Sequence, residues 1–230
     1  SVTGSAMQTP LAASAGSGGG GGGGGSAGDG GNGGGGGGVI ELSAGGAVHL
    51  NAAVTALGGA GVAPSGSCTN QGGGGGGGSG GVMLVRAHGS VVGTGTPLSA
   101  RGGPGGNGGL GCNAGGAASP GRIRLDSPSS AALGLVDAPA AVRGPMWTSS
   151  VPPITSSGTP SLGVHGQPST TFGLSVNGGA AAAFATDATG AGTVTPSLQP
   201  GLNTICVLVS PTASNLLPEA SNCRDIAYVP

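Results

Sequence analysis

The residue types that could do chemistry are few in this chain, and their spacing argues against most of it. There are three histidines, His49, His88 and His165, and no two lie at a separation that would pair them on one metal or one base. The acids of the first half, Asp29, Glu41, Asp126 and Asp137, are scattered rather than paired, so carboxylate-pair hydrolysis of a glycosidic bond is not indicated. No glycine run ends in Gly-Lys-Ser/Thr, which removes the phosphate-binding loop. "GGSAGD", ending at Asp29, superficially matches calcium-binding glycine repeats, but it occurs once and at the wrong spacing. Nothing suggests a nucleophile, base and orienting group, so no catalytic, cofactor-binding or metal residue is expected and the chain reads as not an enzyme.

The cysteines carry the remaining chemistry. Cys68, Cys112, Cys206 and Cys223 show no Cys-x-x-Cys spacing and have no nearby histidine in sequence, which disfavours zinc. Cys68 follows Gly59 by the same interval that separates Cys112 from Gly103. Two disulfides, Cys68–Cys112 and Cys206–Cys223, are therefore expected, and with them an oxidising, extracellular or cell-surface location. Ser1 opens no signal peptide, so a secreted protein would be present here as its mature form or a fragment.

The elements around these residues are unusual. The chain has 230 residues, 58 of them glycine and 17 proline, with 6% charged residues and net charge -1. It contains no lysine, so a nucleic-acid partner is excluded on electrostatic grounds. No apolar run approaches the roughly 20 residues of a membrane span. Disordered chains normally stay soluble through charge, and this one lacks it.

Near-pure glycine runs at Gly18–Gly25, Gly33–Gly38 and Gly72–Gly78, and a looser one at Gly102–Gly116, alternate with short apolar segments. "GGVIELSAGGAVHLNAAVTALGGAG" from Gly37 aligns with "GGVMLVRAHGSVVGTGTPLSARGGPG" from Gly80. Val39 matches Val82, Leu42 matches Val85, Val48 matches Val91 and, after one insertion, Val54 matches Leu98. Partial copies occur at "TPLAASAG" from Thr9 and "RIRLDS" from Arg122. Long-period self-similarity builds stacked coils. Period-two alternation at Ile40, Leu42, Ala44 and at Met83, Val85, Ala87 indicates strands with one buried face. The expected first unit, residues 1–147, is thus a parallel β-helix or solenoid-like stack. Its glycine excursions would be packed as polyglycine II, an extended helix of three residues per turn. Glu41 and Arg124 occupy equivalent positions two coils apart and are expected on an outward, solvated face.

Residues 148–166, "TSSVPPITSSGTPS" and its continuation, read as a Ser/Thr/Pro linker. Residues 167–230 show short strands with turn chemistry at Asn177-Gly178, Asp187–Gly190 and Pro200-Gly201, which suggests a β-sandwich. "LSVNGG…FATDATGAGTVTPSLQPGLNTICVLV" resembles bacterial immunoglobulin-like domains of cell-surface proteins, with their V-N-G, D-x-x-G and L-x-x-G-x-N-T-I-x-V pattern. Cys206 and Cys223 depart from that pattern. The glycine half resembles Gly-rich β-helical repeats of large secreted bacterial proteins and, more distantly, polyglycine-rich phage tail-tip adhesins. These resemblances imply a surface or appendage role and supply no catalytic residue.

The fold class expected is all-β. The function expected is a structural subunit of an extracellular filament, coat or sheath that associates head to tail with itself. Val39, Ile40, Leu42, Arg122, Ile123 and Leu125 would lie at the coil ends. The alternative is a receptor- or surface-binding adhesin, bacterial or phage, whose partners are cell-surface glycans or receptors.

Overall fold

The computed structural model describes residues 16–24, 29–65, 72–108, 113–128, 134–148, 150–211 and 222–230. The architecture is all-β. Parallel ladders dominate the first half, because each repeat returns the chain to the same place one strand further along. β1 (Val39–Ala44), β4 (Val82–Ala87), β7 (Arg122–Asp126) and β9 (Val142–Arg143) form one parallel sheet in that order. Val39 faces Val82, which faces Arg122; Leu42 faces Val85, which faces Leu125. β2 (Val48–Leu50) pairs in parallel with β5 (Val91–Gly93). β3 (Val54–Thr55), β6 (Leu98–Ser99) and β8 (Val136–Ala138) make a third parallel sheet. The aligned repeats of the sequence are therefore the ladder register itself.

Met83, Val85, Ala87, Val91, Leu98, Ile123 and Leu125 form a fully enclosed core between these sheets, with Ile40, Leu42 and Val54 packed on its margin. The alternating residues point inward as the period-two pattern requires. β4 departs from the one-sided expectation. All six of its residues are buried: β1 and β7 flank it, and Arg86 on its second face turns to the buried Asp126 carboxylate.

Those tracts are held by backbone alone, with a period of three. Gly16, Gly19 and Gly22 donate to the carbonyls of Gly37, Gly34 and Gly31. Gly31, Gly34 and Gly37 donate in turn to Gly73, Gly76 and Ser79. Gly75, Gly78 and Gly81 donate to Val62, Gly59 and Ala56, and Gly74, Gly77 and Gly80 to Asn113, Gly116 and Ser119, all at 2.7–3.1 Å. Residues 72–81 thus sit at the centre of a bundle, each phase of the three-residue turn facing a different neighbour. A Cβ at Gly75 would overlap the Asn32 carbonyl, and one at Gly78 the Gly35 carbonyl. Glycine is required there by close backbone approach.

In the second half, β10 (Met146–Trp147), β12 (Leu162–His165) and β15 (Ala191–Val194) form an antiparallel sheet. A five-stranded sheet runs β11 (Ile154–Thr155), β17 (Cys223–Tyr228), β16 (Gly201–Leu208), β13 (Thr171–Val176), β14 (Ala182–Ala185). Trp147, Leu162, Val164, Ile205, Val207 and Ile226 fill a second core. The stretch read as a Ser/Thr/Pro linker, 148–166, is corrected here. It supplies β11 and β12, whose backbone groups are committed to β17 and to β10 and β15. The sheets of both halves are small and none closes on itself.

The turn signals act as their chemistry demands. Asn177 and Gly178 have φ of 53° and 72°. The Asp187 carboxylate accepts from the Thr189 and Ala191 amides, and Gly190 takes φ 87°. Asn203 of the N-T-I pattern is buried. Its Oδ1 accepts from Asn177 Nδ2 and from the Gln199 amide, and its Nδ2 donates to Gln199 and Gly201 carbonyls.

Candidate functional site

Two places concentrate groups that could act on another molecule. The first is the distal end of the glycine bundle. Hydrogen bonds join Gly22 to Gly31, Gly31 to Gly73, Gly74 to Asn113, Gly75 to Val62 and Gly106 to Gly75. The three outgoing and returning tract pairs therefore end at one level. Side chains in the tracts fall at exposed positions of the three-residue turn: Asp29 and Asn32, and Arg101, Pro104 and Asn107. Between the paired ends, the sequence supplies "SAG" at 26–28, "GSCTNQ" at 66–71 and "GLGC" at 109–112. The expected Cys68–Cys112 bond falls on these last two segments and lies outside the described residues.

The second is a buried polar cluster where the two halves meet. Asp126, on β7, has no solvent exposure and accepts from Arg124 Nε and Nη2 at 2.8 and 2.7 Å. Arg86 Nε approaches the same carboxylate at 3.5 Å, and the Gly144 amide donates to it at 3.0 Å. A side chain at Gly144 would strike the Arg124–Asp126 pair, so glycine lets β9 close over it. Arg143, 4% exposed, donates Nη2 to the Ser127 carbonyl at 2.7 Å and Nη1 to His165 Nε2 at 3.3 Å. Its own amide donates to Gln167 Oε1. Burial, followed by the Arg143 charge, holds the His165 pKa below the ordinary histidine range.

This cluster was not legible from single-residue types. Glu41 and Arg124 do share one ladder row through Leu84. Arg124 is nevertheless not on a solvated face: it is 3% exposed and paired to Asp126 two residues on. The signal that could have found it is the R-x-R-x-D alternation of Arg122, Arg124 and Asp126. On a strand this puts Arg124 and Asp126 on one face.

The six residues expected at the coil ends divide. Val39, Ile40 and Leu42 stand on β1, which has a strand neighbour on one side only among the described residues, and Val39 is 44% exposed. Arg122, Ile123 and Leu125 do not form a second free end. β7 is followed by β9, and Ile123 and Leu125 are in the core. The physical reason is that residues 136–144 continue the stack and the second half packs directly beyond them. His88 meets Arg224 across the halves at 3.1 Å, and burial followed by that arginine lowers its pKa. His49 lies on β2.

The expected Cys206–Cys223 disulfide is present, joining facing residues of β16 and β17 with Cα atoms 4.1 Å apart. Among the described residues no group of three His, Cys, Asp or Glu side chains could hold a metal ion, and no helix is long and apolar enough to cross a membrane. Comparison with protein-family models, with curated proteins and with solved structures gives no match.

Proposed function

We propose that the chain is an extracellular, non-enzymatic binding module of adhesin type. In this reading the first half is a short β-solenoid whose glycine excursions form a polyglycine II bundle, and the second is an immunoglobulin-like support. The observation that carries it is the common level at which the three tract pairs end, with the exposed side chains of Asp29, Asn32 and Asn107 beside it. A lattice of backbone hydrogen bonds has no side chains to rearrange, so it acts as a stiff spacer that holds its exposed side chains in fixed places. Binding residues on loops carried by a rigid scaffold is a general solution. The disulfide is consistent with an oxidising location. Surface glycans or receptors are the partners this arrangement suits.

The test is binding of fluorescently labelled protein to cell surfaces and arrayed glycans. It compares the natural chain with a variant carrying Asp29→Gly, Asn32→Gly and Asn107→Gly. Binding is expected to fall to background while the melting temperature holds. Equal binding by both proteins removes the reading.

The filament reading is the second, supported by the edge of β1 with exposed Val39. Exposed strand edges accept another chain. Concentration-dependent growth in light scattering, abolished by Val39→Lys, would favour it over the adhesin.

A further inference from the structure

Beside the buried cluster lies a cavity of about 530 Å³ between the two halves. Among the described residues its lining includes Arg122, Arg124 and Arg143 and no carboxylate. Gln167 and Thr170 add polar groups, and Phe172 and Val209 form an apolar wall. Arg143 is the informative member. Its guanidinium is buried, cannot lose its proton, and donates to a neutral carbonyl and a neutral-acting imidazole nitrogen. The nearby carboxylate, Asp126, is taken up by the two-pronged bond from Arg124. A buried cation with no directly bridging anion among the described residues carries a large desolvation cost, and an oxyanion held in the cavity would offset it.

We propose that this cavity is a binding site for a small ring-bearing carboxylate. The carboxylate faces Arg122 and Arg143, and the ring lies against Phe172 and Val209. Arginine favours this head group because its planar donor fork matches a carboxylate in two-point geometry. The cavity exceeds the needs of a bare inorganic ion, and its apolar wall gives a ring somewhere to bury surface. The site is independent of the distal end of the glycine bundle, so it stands or falls separately from the adhesin reading.

Calorimetric titration of the full chain, at constant ionic strength, tests it with benzoate and glucuronate as probes and benzyl alcohol and glucose as uncharged counterparts. One or both carboxylates are expected to bind saturably and raise the melting temperature, while the uncharged pair does neither. Arg143→Gln alters the buried cluster and can compromise folding, so Arg122→Gln is the primary variant, with affinity expected to fall roughly tenfold or more. Val142→Glu places a carboxylate at the half-exposed rim and is expected to abolish binding while raising the melting temperature without ligand. Equal binding by the uncharged compounds, saturation by sulfate or phosphate alone, no saturation by either carboxylate, or unchanged binding in Arg122→Gln overturns the proposal.

Discussion

Arg143 donates from Nη1 to Nε2 of His165 across 3.3 Å. A guanidinium can only donate, so the imidazole accepts at Nε2 and carries its proton on Nδ1. Protonating this ring would set two cations face to face. Burial and Arg143 depress the His165 pKa in the folded state, and burial and Arg224 do the same for His88. The unfolded chain therefore binds protons more readily in the range below about pH 6.5. Stability is fully present above that value and declines as pH falls through it. Chemical denaturation between pH 8 and pH 5 checks this, and His165→Gln, which retains an acceptor for Arg143, should flatten the decline. A pH-independent midpoint would contradict it.

Asp126 is the carboxylate on which the buried cluster turns. Asp126→Asn leaves the Arg124 guanidinium buried against an amide, and removing one partner of such a pair typically costs about 3–5 kcal/mol. A lowered midpoint with an unchanged denaturant slope is expected. A loss under about 1 kcal/mol would mean that water reaches Arg124 freely.

The glycine bundle makes a position-by-position prediction. Gly75→Ala puts a methyl group into the Asn32 carbonyl and Gly78→Ala into that of Gly35. Each should destabilise by about 1–3 kcal/mol or more, as overpacked sites do, and Gly75→Val should be worse. Gly35→Ala and Gly38→Ala meet nothing within 4 Å. They should be neutral or stabilise by up to about 1 kcal/mol through the unfolded state. Thermal melts of the four alanine variants decide it. A uniform response would mean that the tracts are not packed.

The paired change Cys206→Ser and Cys223→Ser opens a loop spanning 17 residues. Chain entropy places the loss near 3 kcal/mol. The β16–β17 ladder retains its backbone bonds, so the double variant should still fold, with a lower melting temperature by circular dichroism. Reductant should lower the melting temperature of the natural protein by at least as much.

The ladder register was readable because Val39, Val82 and Arg122 follow glycine tracts of matching outline, and alignment of repeats is alignment of strands. The core positions Met83, Val85 and Leu125 followed from period two. The fate of β4 did not follow, because its second face, Val82, Leu84 and Arg86, is buried beside the Arg124–Asp126 pair, and no spacing within β4 itself announces that cluster. The triplets Asp29-Gly-Gly-Asn32-Gly-Gly and Arg101-Gly-Gly-Pro104-Gly-Gly-Asn107 did hold the bundle's geometry in plain view. Side chains recur where the turn faces solvent, and bare Cα atoms where it faces a neighbour. Strands β11 and β12 escaped notice because Pro152, Pro153 and Pro160 surround them with linker-like composition. The Arg143–His165 contact joins residues from opposite halves, which local spacing cannot reveal.

Because the bundle's hydrogen bonds repeat every third residue, its length is adjustable in whole triplets. Inserting one glycine triplet into every limb of the bundle leaves each donor opposite its former kind of acceptor and lengthens the projection by about 9 Å. An insertion of one or two residues instead rotates the exposed phase into a neighbour's backbone. Matched in-frame insertions of nine nucleotides, one for each limb, therefore lengthen the bundle without redesigning any side-chain contact. Glycine content here functions as a modular ruler.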